Sequence, residues 1–247
     1  MKLLAHIQET RGQDNKTFRD WFQNKIVHKH YNPILHVSFN LGVLLILVLG
    51  NLLLIQNWNF GVLAVLVSVG LLGNVVVWTV HRYPLHRRYK HWAFPYDTHT
   101  VMHHRYFTAD YITYDKARDL YAIFFPANVV AGFALIAQPI FFYSAQYFLG
   151  SNLAHAFAAG TASYFLIYEF FHWASHLPAS HWLVRSNGWI RYMRKHHIVH
   201  HIPKFMGKFN FCIVYPMMDI IMGTQYKGAQ PQDNAEDHFK DIQFNLK

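Results

Sequence analysis

Histidines are the residues of this 247-residue chain whose number and spacing point most directly to chemistry. There are 19 of them, and 13 lie in two windows, residues 81–104 and 172–201, which together make up less than a quarter of the chain. Each window contains a pair followed by a cluster. In chain order these are His81 and His86; His99, His103 and His104; His172 and His176; and His197, His200 and His201.

Imidazole side chains at such spacings are typical of metal ligands, because neutral imidazole suits iron, zinc, copper and nickel. Residues four apart lie on one face of a helix, so the two histidines of each H-x3-H spacing are predicted to reach one point. Pro84 disrupts helical hydrogen bonding between His81 and His86, and this allows that wider pair to converge as well.

Ten histidines are too many for one ion, since a metal of this type takes about four to six ligands. The sequence therefore predicts two metal ions, with these ten residues as ligands and as the catalytic set. His196 and His181 are candidate further ligands, and the sequence does not assign a role to His91. The alternative, that scattered histidines are ordinary surface or core residues, is the interpretation adopted for the isolated ones. These are His6, His28, His30, His36, His155 and His238.

Few carboxylates accompany the histidines. Asp97, Glu169 and Asp219 are the candidates, and we expect them to accept hydrogen bonds from ligand imidazoles and so fix the ring orientation. Glu169 is three residues before His172 and hence on the same helical face. Two alternatives stay open: Glu169 is a snorkelling carboxylate at the membrane interface, and Asp219 is a purely structural contact.

The segments that must position these residues are strongly apolar. Hydrophobic residues make up 53% of the chain and charged residues 14%, and residues 35–80 and 119–176 contain no lysine or arginine. A helix needs about 20 apolar residues to cross a bilayer. Four membrane spans are predicted, with the limits of the third made less secure by two prolines, Pro126 and Pro139. The spans are Leu35–Gln56, Phe60–Val80, Ala122–Phe148 and Leu153–Ala174.

The predicted fold is all-α and integral to the membrane, with the four spans arranged as two hairpins. Neither hairpin turn carries a positive charge, so the positive-inside rule places the N-terminus, residues 81–118 and the C-terminal tail in the cytoplasm. Residues 1–34 form an N-terminal segment, 35–226 a membrane catalytic domain with a cytoplasmic histidine-rich helical cap, and 227–247 a polar tail. A buried soluble helical core is the alternative. Thr17–His30 is expected to be an interfacial helix or a plain surface helix.

These motifs resemble the fatty acid hydroxylase superfamily, the integral-membrane di-iron group that includes fatty acid 2-hydroxylases, sterol desaturases, sterol methyl oxidases and carotenoid hydroxylases. The resemblance covers about residues 35–226. It is most specific in Tyr168-Glu169-x-x-His172-x3-His176, in the run from His196 to His201, and in the ending Asp219-x3-Gly223-Thr224. The sequence departs from the family pattern in two places. Three residues separate His99 from the next histidine, His103, where the 2-hydroxylases have two, and Cys212 stands where glycine is usual.

The resemblance implies an oxidoreductase that uses two iron ions and O2 to hydroxylate a C–H bond of a membrane lipid, a fatty acyl chain or a sterol-like molecule. A desaturase or a sterol methyl oxidase is the enzyme alternative. A non-catalytic metal-binding or transport protein is the second alternative, although transporters place polar ligands near mid-membrane and often have broken spans.

The partners expected from the resemblance are a membrane lipid, the bilayer and an external redox protein. No cytochrome b5 segment is recognised in the sequence, so the implied electron donor is a separate NAD(P)H-dependent reductase with cytochrome b5 or a ferredoxin. The implied location is a multi-pass protein of the bacterial inner membrane or of the endoplasmic reticulum, with the active site on the cytoplasmic side. Nucleic acid is not an expected partner, since the basic residues follow membrane topology.

Overall fold

The computed structural model describes residues 12, 14–229 and 231, and within them the chain is helical and contains no β-strand. The predictions for His6, His238 and most of the 227–247 tail concern residues outside the described ones. The α-helices are α1 (Asn15–Lys25), α2 (Pro33–Leu53), α3 (Phe60–Val80), α4 (Phe94–Tyr96), α5 (His104–Tyr106), α6 (Ala127–Gly132), α7 (Gln138–Leu149), α8 (Ser151–Ser175), α9 (Trp182–Ser186), α10 (Gly188–His200) and α11 (Met217–Ile221). Three π-helical turns (His81–Leu85, Asp97–His103 and Phe133–Ala137) and one 3-10 helix (Ala117–Ala122) complete the set.

Three continuous helical segments of the described chain are long and apolar enough to cross a membrane: Pro33–Leu53, Phe60–Leu85 and Ala127–Leu149. Large aliphatic side chains on them are exposed, among them Ile46 at 72% and Leu135 at 77%. Such extended exposed apolar surface is typical of helices in contact with lipid. The predicted all-α class is confirmed, and the three segments indicate a membrane protein.

Local sequence explains where these helices begin. Asn32 caps α2 by accepting a hydrogen bond from the backbone N–H of Leu35, and Pro33 occupies the first turn, where its missing N–H costs nothing. Pro126 precedes α6, so the third segment starts at Ala127 rather than at Ala122. Pro139 follows the π-helical turn Phe133–Ala137, which absorbs the break in the hydrogen-bond ladder.

The fourth predicted span differs from the other three. It forms a 25-residue helix, α8, but is not among the segments apolar enough to be a candidate span. The physical reason is composition: α8 is rich in alanine and polar residues, and it contains His155, Glu169 and His172. Its small side chains are buried in protein contacts, as Ala154, Ala156 and Ala159 show with no exposed surface.

The chain divides into two compact units. We call Asn32–Val76 with Phe124–Phe170 the apolar unit, and Met1–Tyr31 with Val77–Ile123 and Phe171–Lys247 the histidine unit.

Within the apolar unit, helices pack closely where one of them has no side chain. A Cβ atom at Gly160 would lie 3.0 Å from Val69 Cγ1, and one at Gly73 would lie 2.5 Å from Tyr164 Cγ. Asn152 joins the two inter-helix turns, because its Oδ1 accepts the backbone N–H groups of Gln56 and Asn57. Small residues at such crossings are the usual way in which membrane helices pack.

Gly73→Ala is expected to destabilise the protein by about 1–3 kcal/mol, because the added methyl group meets the base of the Tyr164 ring, which cannot swing aside. Gly70→Ala on the same helix is the matched control, since a Cβ there has no other atom within 4 Å. Thermal unfolding of both variants in detergent measures the difference. Equal melting temperatures for the two variants would contradict this packing.

In the histidine unit, α1 packs its apolar face onto the protein. Asp14 caps the helix, and Phe18 and Phe22 are each 1% exposed, with Phe22 against the rings of Tyr106 and Tyr121. The expected helix over Thr17–His30 is therefore present as Asn15–Lys25. Its two phenylalanines contact aromatic side chains of the protein itself.

Candidate metal centre

Nine of the ten predicted ligands form two compact groups in the histidine unit. The first group is His81, His86, His99, His104 and His200, and the second group is His103, His176, His197 and His201. Within each group, one ring nitrogen of every residue lies within 4.8 Å of the others. The tenth residue, His172, borders the second group, since its Nε2 lies 3.3 Å from Nε2 of His103.

Two π-helical turns decide which histidines meet. A π-turn brings together residues five apart, and such turns are frequent at functional sites. The turn His81–Leu85 contains Pro84 and brings His81 and His86 into the same group, as the sequence predicted. The turn Asp97–His103 does the same for His99 and His104, whose Nε2 atoms are 3.1 Å apart.

The same π-turn separates His99 from His103. The sequence predicted that these two would reach one point, as they would on an α-helix, but His99 belongs to the first group and His103 to the second. Helix α10 also serves both groups. His197 and His201, four residues apart, have Nε2 atoms 2.9 Å apart in the second group, while His200 belongs to the first.

Backbone carbonyl groups orient most of the rings. A carbonyl oxygen only accepts hydrogen bonds, so each Nδ1 that contacts one must carry the proton, which leaves the lone pair on Nε2. Six histidines of the site are held in this way. The pairs are His81 with Phe211, His103 with Ala122, His172 with Ile123, His176 with Ile112, His200 with Phe209, and His201 with Phe107.

His86 reaches the same tautomer through a hydroxyl group. Thr100 Oγ1 donates to the carbonyl oxygen of Leu85, so its oxygen accepts from Nδ1 of His86 at 3.1 Å. His104 and His197 differ, since their buried Nδ1 atoms have no hydrogen-bond partner among the described residues.

Nitrogen lone pairs therefore face each other across short distances. Nε2 of His103 lies 3.2 Å from Nε2 of His201 and 3.3 Å from Nε2 of His172, and all three residues carry their proton on Nδ1. No hydrogen bond joins two acceptors, so neutral rings in this arrangement repel one another unless a cation lies between them.

Protonation does not provide that cation at neutral pH. Burial lowers the pKa of His103 to about 4, and burial together with the neighbouring His81 and His103 lowers that of His86 to about 2. Burial, reinforced by nearby imidazoles, also lowers the pKa of six further histidines of the two groups well below the ordinary value. These are His99, His104, His176, His197, His200 and His201.

The donor set and the spacing fit metal ions. Nε2 atoms in contact are 2.8 to 3.3 Å apart, and ligands on bonds of about 2.0–2.1 Å at right-angled to tetrahedral positions have such separations. All donors are neutral imidazoles, which suit iron, zinc, copper and nickel. Neither group includes a carboxylate among the described residues.

Two of the three predicted carboxylates have other partners. Asp97 pairs with Nε of Arg88 at 3.2 Å, and Glu169 accepts from Asn40 Nδ2 and from the backbone N–H of Phe125. The expectation that these two accept hydrogen bonds from ligand imidazoles is wrong for the contacts that the structure describes. Of the three, Asp219 is the one that accepts an imidazole N–H within the described part of the chain.

Asp219 accepts that bond from His196, at 3.0 Å, and not from a member of either group. Burial alone would raise the pKa of the Asp219 carboxyl, but hydrogen bonds from His196, Cys212 and Thr224 hold it below its ordinary value. The two candidate extra ligands also have structural contacts. His196 pairs with this aspartate, and His181 caps α9 by accepting from the backbone N–H of Leu183.

The isolated histidines that lie in the described residues have contacts of the ordinary kind. Nε2 of His36 donates to the carbonyl oxygen of Phe125, and His155 contacts Oδ1 of Asn51. Sequence reasoning missed the backbone carbonyl groups that accept hydrogen bonds from the histidines of the site, and it also missed Thr100. Backbone carbonyls carry no residue signature, so no pattern could have identified them.

The fold and the site together define a helical protein, with segments suited to a membrane and two buried histidine groups compatible with metal binding. Comparison with known proteins adds no relative: no family model, no curated protein and no solved structure matches the chain.

Proposed function

We propose that this chain is an O2-dependent di-iron oxidoreductase that inserts a hydroxyl group into a C–H bond of a membrane lipid, either a fatty acyl chain or a sterol-like molecule. The observation that carries the proposal is the pair of buried groups in which proton-free Nε2 atoms converge. Two such groups, close enough to share helix α10 and the π-turn Asp97–His103, favour a dinuclear centre over separate sites.

The choice of iron is argued from the reaction. No protein side chain breaks an unactivated C–H bond, so a cofactor must supply the oxidising power, and iron changes oxidation state where zinc does not. Two irons, when bound, would supply O2 activation. The first group would hold one ion, and the second group, with His172 beside it, would hold the other.

The protein's own contribution is orientation and exclusion of water. Backbone carbonyl groups fix six imidazole rings with Nε2 facing inward. Thr100 fixes a seventh ring, that of His86. Burial keeps the imidazoles neutral and removes water from the surroundings of the reacting bond. A ligand set without carboxylates leaves the positive charge of the ions uncompensated, which favours electron transfer to them from an external donor.

The proposed topology is multi-pass, with four spans in two hairpins and the histidine groups at the cytoplasmic face. Helix α8 supports the fourth span by length, since 25 residues extend about 37 Å. Asn152 holds the two hairpin turns together, and both turns lack lysine and arginine. His81 lies in the last turns of the candidate span Phe60–Leu85, so a lipid could approach it from the bilayer. The membrane would be a bacterial inner membrane or the endoplasmic reticulum.

The histidine spacings that resemble the fatty acid hydroxylase superfamily also support this function, and the electron donor would be a reductase with cytochrome b5 or a ferredoxin. The closest alternative is a desaturase or sterol methyl oxidase with the same metal site. A metal transporter is the alternative of another class.

Expression of the active chain in a lipid-producing host under 18O2 is expected to yield lipids heavier by one labelled oxygen atom, and the purified protein is expected to bind two irons per chain. The His197→Ala variant, which lacks a ligand of the second group, is the inactive control. Mass spectrometry separates the alternatives: loss of two hydrogens assigns a desaturase, and unchanged lipids with bound metal assign a transport or storage protein.

A further inference from the structure

Asp219 lies at the centre of a buried hydrogen-bond network and has no exposed surface. Its Oδ1 accepts from the backbone N–H of Phe211 at 2.9 Å and from Thr224 Oγ1 at 2.7 Å. Its Oδ2 accepts from the backbone N–H of Cys212 at 2.8 Å and from Nε2 of His196 at 3.0 Å. Two of these contacts hold Phe211 and Cys212, one holds His196 of helix α10, and one holds Thr224.

That segment orients two ligands of the first group. The carbonyl of Phe211 accepts from Nδ1 of His81, and the carbonyl of Phe209 accepts from Nδ1 of His200. Asn210 between them has φ of 59°, in the left-handed region that asparagine tolerates better than most residues with a side chain. Its own side chain bonds to the carbonyl of His196 and the backbone N–H of Tyr226, and Asp219 holds the next part of the turn, since it binds the two N–H groups that follow Asn210.

Asp119 plays the corresponding part elsewhere in the same unit, and it is 3% exposed. Its Oδ1 accepts from the Tyr106 hydroxyl at 2.6 Å and from Gln23 Nε2 at 3.1 Å. Its Oδ2 accepts from the Arg19 guanidinium at 2.9 Å and from the backbone N–H groups of Asp115 and Lys116 at 2.9 and 3.0 Å.

The segment that Asp119 organises carries the carbonyls of the second group. Asp119 caps the 3-10 helix Ala117–Ala122, and the end of that helix presents the carbonyl of Ala122 to His103. Next to it, the carbonyl of Ile123 accepts from His172. Tyr106, bound to Asp119, directly precedes Phe107, whose carbonyl accepts from His201.

We propose that each metal group has its own positioning carboxylate: Asp219 orients the ligands of the first group, and Asp119 orients those of the second. Neither aspartate touches a member of its group. Each acts through backbone carbonyls that fix imidazole rings, and substitutions in such outer contacts typically weaken metal affinity 10- to 100-fold. This inference rests on the metal binding in the proposed function and adds a separate residue for each ion.

Asp219→Asn and Asp119→Asn test the assignment. An asparagine has the same shape, but it removes the negative charge, and its NH2 group faces groups that donate to the carboxylate in wild type, so the hydrogen-bond network is weakened in each variant. Full-length protein is titrated with ferrous iron in detergent, and bound iron per chain is measured. Wild type is expected to bind two ions. Each variant is expected to retain one at normal affinity and to bind the other 10- to 100-fold more weakly.

Combination with ligand variants identifies the ion that is lost. His99→Ala removes a ligand of the first group only, and His197→Ala removes one of the second group only. Asp219→Asn combined with His197→Ala is expected to bind no iron tightly, whereas its combination with His99→Ala still binds one. The pattern is reversed for Asp119→Asn. Changes that act on the same site overlap in this way, and changes at independent sites add.

The outcomes separate this inference from the proposed function. Wild type that binds no iron overturns both. Wild type with two ions, and variants that keep both at unchanged affinity or weaken both equally while folded, overturn the positioning assignment alone. If an aspartate variant unfolds, Thr224→Val and Tyr106→Phe make the same test, because each removes one hydrogen bond to one aspartate. They are expected to weaken one ion several-fold and to leave the other unchanged.

Discussion

His201→Ala is expected to lower product formation by at least about 10³-fold, since loss of an ion removes several kcal/mol of catalytic stabilisation and each 1.36 kcal/mol is tenfold in rate. His201 occupies a central place in the second group, with Nε2 3.2 Å from that of His103 and 2.9 Å from that of His197. Its ring also stacks on His104 of the first group, with centroids 4.2 Å apart. The truncation therefore disturbs both groups.

The measurement is product formation by membranes that contain equal amounts of inserted protein, together with the iron content of the purified variant. His91→Ala is the matched control, because His91 is exposed and lies in the same histidine-rich window but in neither group. It should retain full activity. An active His201→Ala protein with two bound irons would refute the ligand role.

The metal-free protein is expected to lose stability steeply as pH falls below about 6.5. Burial lowers the pKa of His103 to about 4 and that of His86 to about 2, so both stay neutral in the folded state after the unfolded chain has bound protons. Unfolding then takes up one proton for each of these two histidines. Between pH 6.5 and 4 these two alone remove on the order of 2–3 kcal/mol of stability per pH unit.

The sign follows from proton binding. Because the unfolded state binds more protons, stability is complete above the unfolded pKa and falls as pH falls toward the folded pKa. Thermal unfolding of chelator-treated protein at pH 7.5, 6.5, 5.5 and 4.5 measures the slope. His86→Gln is expected to flatten it, whereas His28→Gln, at an exposed position, should leave it unchanged. A melting temperature that does not vary over this range would exclude neutral buried imidazoles.

The membrane-type helices and the choice of histidines were accessible from sequence, because both depend on strong local signals. Long runs without charge predicted helices that the structure has within a few residues, and clustering together with spacing selected ten histidines, nine of which form the two groups. The fourth predicted span, Leu153–Ala174, is the weakest case. It forms a helix whose alanines are buried in protein contacts, and its composition alone does not mark it as a candidate span.

The partition of the histidines was not accessible, since it depends on helix type. An α-helical turn would have placed His99 with His103, whereas the π-turn places His99 with His104. The carboxylates were misassigned for a related reason. Sequence proximity suggested Glu169 and Asp97, but the groups are oriented by backbone oxygens from distant parts of the chain, and Asp119 was not singled out at all.

Backbone carbonyl oxygens hold the imidazole rings. Because every residue type has such an oxygen, these hydrogen bonds do not require particular side chains at the residues that supply it. The side chains of Phe107 and Phe211 pack against the histidines, but the hydrogen bonds from their carbonyl groups do not depend on side-chain type. For the proposed enzyme, exchange of these apolar side chains for others of similar volume is therefore expected to change substrate preference while the orientation of the histidines is kept.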